Sequence, residues 1–224
     1  MDTLGAVKVV GFVPSKLNSQ RLLRKNVRPL AGRPLVNYAL ATLADAGLTE
    51  TILYASDDEV VSYAEPDLPF RFVQRPAWLD EDGATVQDFV GAFLEAVDCD
   101  VVVLLHITSP FISTATVQAC TEAVLSGRNE SAFAALEFQR FAWFRGAPLN
   151  YRLDTPTPRT QDLEPVLVEQ SGLYVFTREL FERTGRRIAD DPYIHLVGPI
   201  EGHDIDTAEE FALAEALASL RRDR

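Results

Sequence analysis

Residues 7–26, "VKVVGFVPSKLNSQRLLRKN", decide how the whole chain is read. The first half is a β-branched apolar run stopped by a proline, which predicts a strand over 7–13. The second half is a basic loop carrying Lys16, Arg21, Arg24 and Lys25, with Arg28 and Arg33 close behind. The rest of the chain has the opposite sign. Lys and Arg total 21 against 33 Asp and Glu, a net charge of −12, yet no carboxylate falls between Asp2 and Asp45. That balance argues against general nucleic-acid binding, which needs a broad basic face. It leaves room for a small anionic ligand held by a local cluster, although a solvated surface loop has the same composition.

Outward from this stretch, short β-branched runs alternate with helical patterns. Strands are expected at 7–13, 51–56, 70–74, 100–107, 131–138 and 172–177. Helices are expected at 34–46, 59–64, 84–97, 113–125, 178–184 and 207–220. This order predicts an α/β protein with a mainly parallel sheet between helical layers, built as one domain over 1–224. Pro34 suits a first helical turn, and Thr207 with Glu210 has capping-box spacing. Residues 138–165 break the pattern, with no helical period and with Phe141, Trp143, Phe144 and Tyr151 concentrated there. Such aromatics are costly to leave in water, so a partner chain is expected to cover this excursion.

Several classes are excluded or set aside. No apolar run reaches the roughly 20 residues of a membrane-spanning helix. The first residues lack the pattern of a signal peptide, so a cytoplasmic protein is expected. Cys99 and Cys120 have neither metal-ligand spacing nor the density of a disulfide scaffold. His106, His195 and His203 do not form a zinc set by spacing.

In an open α/β sheet the loop after the first strand lies at the carboxyl edge, where ligands bind. There Ser15, Asn18 and Ser19 allow backbone N–H groups to approach an anion, while Lys16, Arg21 and Lys25 supply charge. The loop is a phosphate cradle of neither Walker nor Rossmann type, since GxxxxGK[ST] and GxGxxG are both absent.

The stretch "VPSKLNSQRLLRKNVRPLAGRPLVNYAL" resembles the opening signature of the acylneuraminate cytidylyltransferase family. "ASDDEVVSYA", "RPAWLDEDGAT", "LLHITSPF", "RTQDLEPV", "GLYVF" and "HDIDTAEEFALAEAL" follow in the family's order. The resemblance implies a three-layer α/β/α sandwich of nucleotidyltransferase type, with 138–165 as a dimerisation excursion of a homodimer. It implies that the hydroxyl of an acidic sugar attacks the α-phosphate of CTP in the presence of Mg2+, yielding a CMP-sugar and pyrophosphate.

Residue by residue, the resemblance puts Lys16, Asn18, Ser19, Gln20, Arg21, Lys25 and Asn26 on the triphosphate, with Lys25 and Arg21 foremost in catalysis. Lys25 is expected on an exposed loop, so that its loss stops turnover without unfolding the chain. Arg75, Ala84 and Thr85 match the segment that holds cytosine and ribose; Thr85 has a second reading as a helix N-cap, and Arg75 as a salt-bridged surface residue. Asp204 and Asp206 match the metal-binding motif, with Asp206 also counted as catalytic, and helix capping as their alternative. His106, Thr108, Ser109, Arg159 and Gln161 match acceptor-side positions, Arg159 and Gln161 often acting across the dimer interface.

Two departures affect substrate choice. The family's R-x-x-S-K opening is here Lys16 to Gln20, and its "QPTSPLR" is here "HITSPFI", with His106 for Gln and Ile112 for Arg. The resemblance implies a nonulosonic acid as the first expected acceptor, and the departures, His106 above all, open the choice to others. The alternatives are another anionic acceptor, such as 3-deoxy-manno-octulosonate or a small phosphonate or carboxylate, or a weakened nucleotide-binding homologue with a regulatory role.

Overall fold

The computed structural model describes residues 7–17, 22–81 and 83–222. In chain order the strands and α-helices are β1 (Val9–Ser15), β2 (Pro29–Leu30), β3 (Arg33–Pro34), α1 (Val36–Asp45), β4 (Glu50–Ala55), β5 (Arg71–Gln74), α2 (Val86–Ala96), β6 (Val101–Leu105), α3 (Thr114–Leu125), β7 (Ser131–Phe138), β8 (Trp143–Phe144), β9 (Ala147–Pro148), β10 (Val166–Thr177), α4 (Arg178–Thr184), β11 (Tyr193–Leu196) and α5 (Ala208–Arg222). Seven strands form one sheet in the order β11-β7-β10-β6-β1-β4-β5. Within the described part of this sheet β10 alone runs antiparallel to its neighbours, β6 and β7.

Period-two alternation divides the central strands between two cores. Val9, Val13, Leu53, Val101, Val103, Leu173 and Val175 face α1, α3 and α5, which contribute Leu40, Leu43, Val117, Val124, Phe211 and Ala214. Phe12, Ile52, Tyr54, Val102, Leu104, Tyr174 and Phe176 face α2 and α4, which contribute Val90, Phe93 and Leu180. Phe12 stacks on Phe93 with ring centroids 3.9 Å apart, tying the first strand to α2. The expected α/β/α sandwich is what the chain builds, because its strands are apolar on both faces.

Strand order fixes where a ligand can sit. From β1 the chain moves one way to β4 and β5, then returns to the other flank of β1 as β6. The carboxyl ends of β1 and β6 therefore diverge at a topological switch point. The 204–206 segment reaches the same edge, because the Ile205 N–H donates to the Thr108 carbonyl at 2.9 Å.

Four expectations about elements need correction. Residues 59–64 are not an α-helix but part of a short 3-10 turn, Asp58–Tyr63, whose N-terminus the Asp57 side chain caps by accepting the Glu59 N–H at 2.8 Å. Pro34 precedes α1 rather than opening it, and closes the β2–β3 hairpin, turned by Ala31 and Gly32 at φ 50° and 86°. The strand expected at 172–177 begins at Val166 and carries a register shift between Glu169 and Tyr174. β11 was not expected; it is a four-residue edge strand paired to β7.

Residues 138–165 leave the sheet between β7 and β10. They form the small β8–β9 hairpin, with Trp143 56% and Phe144 61% exposed. No described helix is long and apolar enough to cross a membrane.

Candidate active site

A cavity of about 370 Å³ opens at the switch point. Its walls include Ser15 and Lys16 from the end of β1, Lys25 and Asn26 from the turn that follows, His106, Ile107 and Thr108 after β6, and Asp206. Arg75, Leu79 and Phe89 line the remaining side.

The described end of the basic loop is a tight backbone turn. Arg24 adopts φ 52°, and the 3-10 turn Lys25–Val27 points Lys25 inward. Lys25 is buried, against the expectation of an exposed charge. Its Nζ donates to the Ile205 carbonyl at 2.7 Å and to Asp206 Oδ1 at 2.9 Å. Asn26 Nδ2 donates to the Lys16 carbonyl at 3.0 Å, bracing the loop against the end of β1. Asn18, Ser19, Gln20 and Arg21 lie outside the described residues.

The acidic segment uses separate residues for capping and for the cavity. Thr207 Oγ1 accepts the Glu210 N–H at 3.2 Å, while Glu210 Oε2 accepts the N–H groups of Asp206 and Thr207, both at 2.8 Å. This is the expected capping box, and it leaves helix capping to Thr207 and Glu210. Asp206 turns its carboxylate to Lys25. Asp204 lies deeper, where burial raises its pKa despite hydrogen bonds from Thr108 and Ser109 that lower it. Among the described residues no three His, Cys, Asp or Glu side chains gather as a metal-binding group. Asp206 is the acid that lines the cavity, with Asp204 behind it on the same segment; such a pair suits Mg2+, which takes one or two carboxylates and fills its shell with phosphate oxygens and water.

Behind Asp204 runs a chain of contacts that the sequence did not reveal. Ser109 Oγ donates to Asp204 Oδ1 at 3.0 Å and accepts from Gln170 Nε2 at 2.8 Å. Gln170 Oε1 accepts the Gly172 N–H at 2.9 Å, inside the irregularity of β10 where Ser171 has φ 70°. The only hint was the polar "QSG" interrupting an apolar run, the mark of a bulge with close backbone approach.

His106 follows β6, its N–H bonded to the Gly172 carbonyl at 2.8 Å and its ring edge-on to Phe89 at 6.2 Å. Burial, with help from the charges of Arg187 and Lys25, pushes its pKa down to about 4, so the imidazole is neutral at physiological pH. Arg75 is buried against Asp80, with Nε making no hydrogen bond. Thr85 is the N-cap of α2 in a reciprocal capping box with Asp88, and neither it nor Ala84 is a wall of this cavity. Arg159 and Gln161 stand exposed on the excursion, Arg159 paired with Asp162 at 2.7 Å. Within one protomer they are not cavity residues.

A switch-point cavity with an inward lysine and an acidic segment, on this strand order, defines a nucleotidyltransferase fold. The chain belongs to the cytidylyltransferase family, whose sequence profile matches residues 10–171. Its relatives include CMP-N,N'-diacetyllegionaminic acid synthase of Legionella pneumophila, 25% identical over 97% of this chain and 99% of that one. Pseudaminic acid cytidylyltransferase of Campylobacter jejuni is 23% identical over 97% and 99%. N-acylneuraminate cytidylyltransferase of Streptococcus agalactiae is 23% identical over 92% of this chain, which spans 52% of that protein. Among solved structures, CMP:2-keto-3-deoxy-manno-octonic acid synthetase complexed with CTP matches with a TM-score of 0.70 at 15% identity, over 97% of this chain and 100% of that one. 4-Diphosphocytidyl-2C-methyl-D-erythritol synthase of Anaerococcus prevotii matches with a TM-score of 0.65 at 16% identity, over 95% and 96%. The chain is a CTP-dependent nucleotidyltransferase.

Proposed function

We propose that this enzyme transfers CMP from CTP to the hydroxyl of a nonulosonic-type acidic sugar and releases pyrophosphate. The observation that carries the reading is the meeting of Lys25 and Asp206 in the switch-point cavity. Relatives that match along nearly their whole length and are named for legionaminic and pseudaminic acids support the acceptor class.

The acceptor oxygen forms a bond to the α-phosphorus while the bond to the β-phosphate oxygen breaks, so the site must position two anions and neutralise charge. Lys16 and Lys25 take phosphate oxygens, with Asn18, Ser19, Gln20, Arg21 and Asn26 completing the loop around the triphosphate. Arg75 at the cavity wall, with Ala84 and Thr85 nearby in sequence, serves the nucleoside end. His106 and Thr108 face the acceptor, His106 as a neutral hydrogen-bonding group, while Ser109, expected beside them, is buried behind Asp204 and acts through it. Asp204 and Asp206 would hold Mg2+, which on binding neutralises phosphate charge and orients the leaving group. The exposed aromatics of the excursion support a homodimer, through which Arg159 and Gln161 would approach the partner's cavity.

A second reading keeps CTP and changes the anionic acceptor, for example to 3-deoxy-manno-octulosonate. It is favoured by His106, and by Ile112, which is 3% exposed in the core and offers no cation where the family signature has an arginine. Purified enzyme incubated with CTP, Mg2+ and N-acetylneuraminic, diacetyllegionaminic, pseudaminic and 3-deoxy-manno-octulosonic acids tests both. Pyrophosphate release with one of the first three supports the leading reading, and with the last the second. CTP binding without release from any acid points to a regulatory homologue.

A further inference from the structure

Arg187 follows α4 on the loop toward β11, half-buried, with its guanidinium carbon 3.6 Å from the centre of the Tyr174 ring. Tyr174 pairs with Leu104, two residues before His106, and Gly172 takes the His106 N–H. Side chains two apart on paired strands share a face, so Tyr174, with Arg187 over its ring, lies on the same α2 side of the sheet as His106, which lines the cavity. The charge of Arg187 is felt at His106, where it acts with burial to keep the imidazole neutral.

Its neighbours in sequence are all neutralised. Arg178 pairs with Glu182, Arg183 with Glu130 and Arg186 with Asp190. Arg187 makes no ion pair among the described residues, and the Glu169 carboxylate accepts the hydroxyl of the same Tyr174 at 2.6 Å. A half-buried guanidinium over an aromatic ring, with no ion-pair partner among the described residues, is a fork prepared for an anion from outside the chain. Arg159, the arginine matched to an acceptor-side position, is engaged with Asp162.

We infer that Arg187 is a specificity residue that binds the acceptor's carboxylate from within the same protomer, beside His106. This rests on the acidic-acceptor reading above. The triphosphate is left to Lys16 and Lys25, so the two anions are read by separate cations.

The test compares wild type with Arg187→Met, which keeps apolar stacking on Tyr174, and Arg187→Lys, which keeps charge without the fork. Initial rates of pyrophosphate release are measured against the acid that wild type turns over and against its methyl ester. Arg187→Met should raise the acceptor KM about ten- to hundredfold, the scale of a lost charged hydrogen-bond pair, with the KM for CTP unchanged. Wild type should prefer the acid over its ester, Arg187→Met should lose that preference, and Arg187→Lys should fall between. An unchanged acceptor KM, or equal changes for acid and ester, overturns the assignment. If Arg187→Met does not fold, the Lys variant decides: a wild-type acceptor KM there overturns the need for the fork. Absence of turnover in the wild type with every acid is a different failure, that of the reading beneath.

Discussion

Lys25 Nζ lies 2.9 Å from Asp206 Oδ1, although 181 positions separate them. The contact joins the turn after the first strand to the segment before the last helix. It is partly shielded, with the lysine side chain 11% and the aspartate 37% exposed. In the proposed function this ion pair is held ready for the ligand: the ammonium would turn to a phosphate oxygen and the carboxylate to a cation.

Replacing Lys25 by Met is expected to abolish pyrophosphate release and also to lower stability by about 1–3 kcal/mol, because the Ile205 carbonyl and Asp206 lose their donor. The double variant Lys25→Met, Asp206→Asn should cost less than the sum of the singles, since the two residues interact directly. Urea melts of the four proteins measure this. Additive losses would mean the pair is not coupled in solution.

Gly172 carries a sharper constraint. A Cβ there would run into the Ser109 side chain. Gly172→Ala should lower the melting temperature by an amount equivalent to about 1–3 kcal/mol. Ser109→Gly in the same chain should restore it without restoring activity, because the hydroxyl that braces Asp204 is gone. Thermal melts and rates together check it; no rescue by Ser109→Gly would place the strain elsewhere.

His106 sets a pH dependence whose sign can be worked out. Its folded pKa of about 4 lies below the ordinary imidazole value of about 6.5, so the unfolded chain binds more protons between these limits. This contribution to stability is complete above pH 6.5 and is lost as pH falls toward 4. Asp204 acts in the opposite sense, its raised pKa relieving strain as the pH drops. His106→Gln should therefore lose less melting temperature than wild type between pH 7 and pH 4.5. Identical losses would show that His106 does not titrate with a depressed pKa.

The aromatic excursion predicts an interface. Trp143→Asp or Phe144→Asp should shift the sedimentation of the protein from dimer to monomer, and a wild type already monomeric would remove the expectation that Arg159 acts in trans.

Much of this was legible in the sequence because the signals were local. Phe12, Ile52 and Leu104 sit in β-branched runs bounded by turn residues, and Thr207 with Glu210 announces its capping box by spacing alone. Lys25, Asp204 and Asp206 stood in segments whose order along the chain was informative. What escaped depends on tertiary pairing. β11 is four residues of a half-exposed edge, too short and too mixed to read. Gln170 acts through a bulge, and Arg187 through an aromatic ring 13 positions earlier. Thr85 could be read as cap or ligand from sequence, and its side chain is engaged as the cap.

The central claim is that the basic turn and the acidic segment hold CTP together with a divalent cation. Calorimetric titration of CTP, with and without Mg2+, into wild type, Lys25→Met and Asp206→Asn tests it most directly. Wild type should bind CTP more tightly with Mg2+, Asp206→Asn should lose that gain, and Lys25→Met should bind weakly in both conditions. A CTP affinity indifferent to Mg2+ in the wild type, or a full Mg2+ gain in Asp206→Asn, would contradict it.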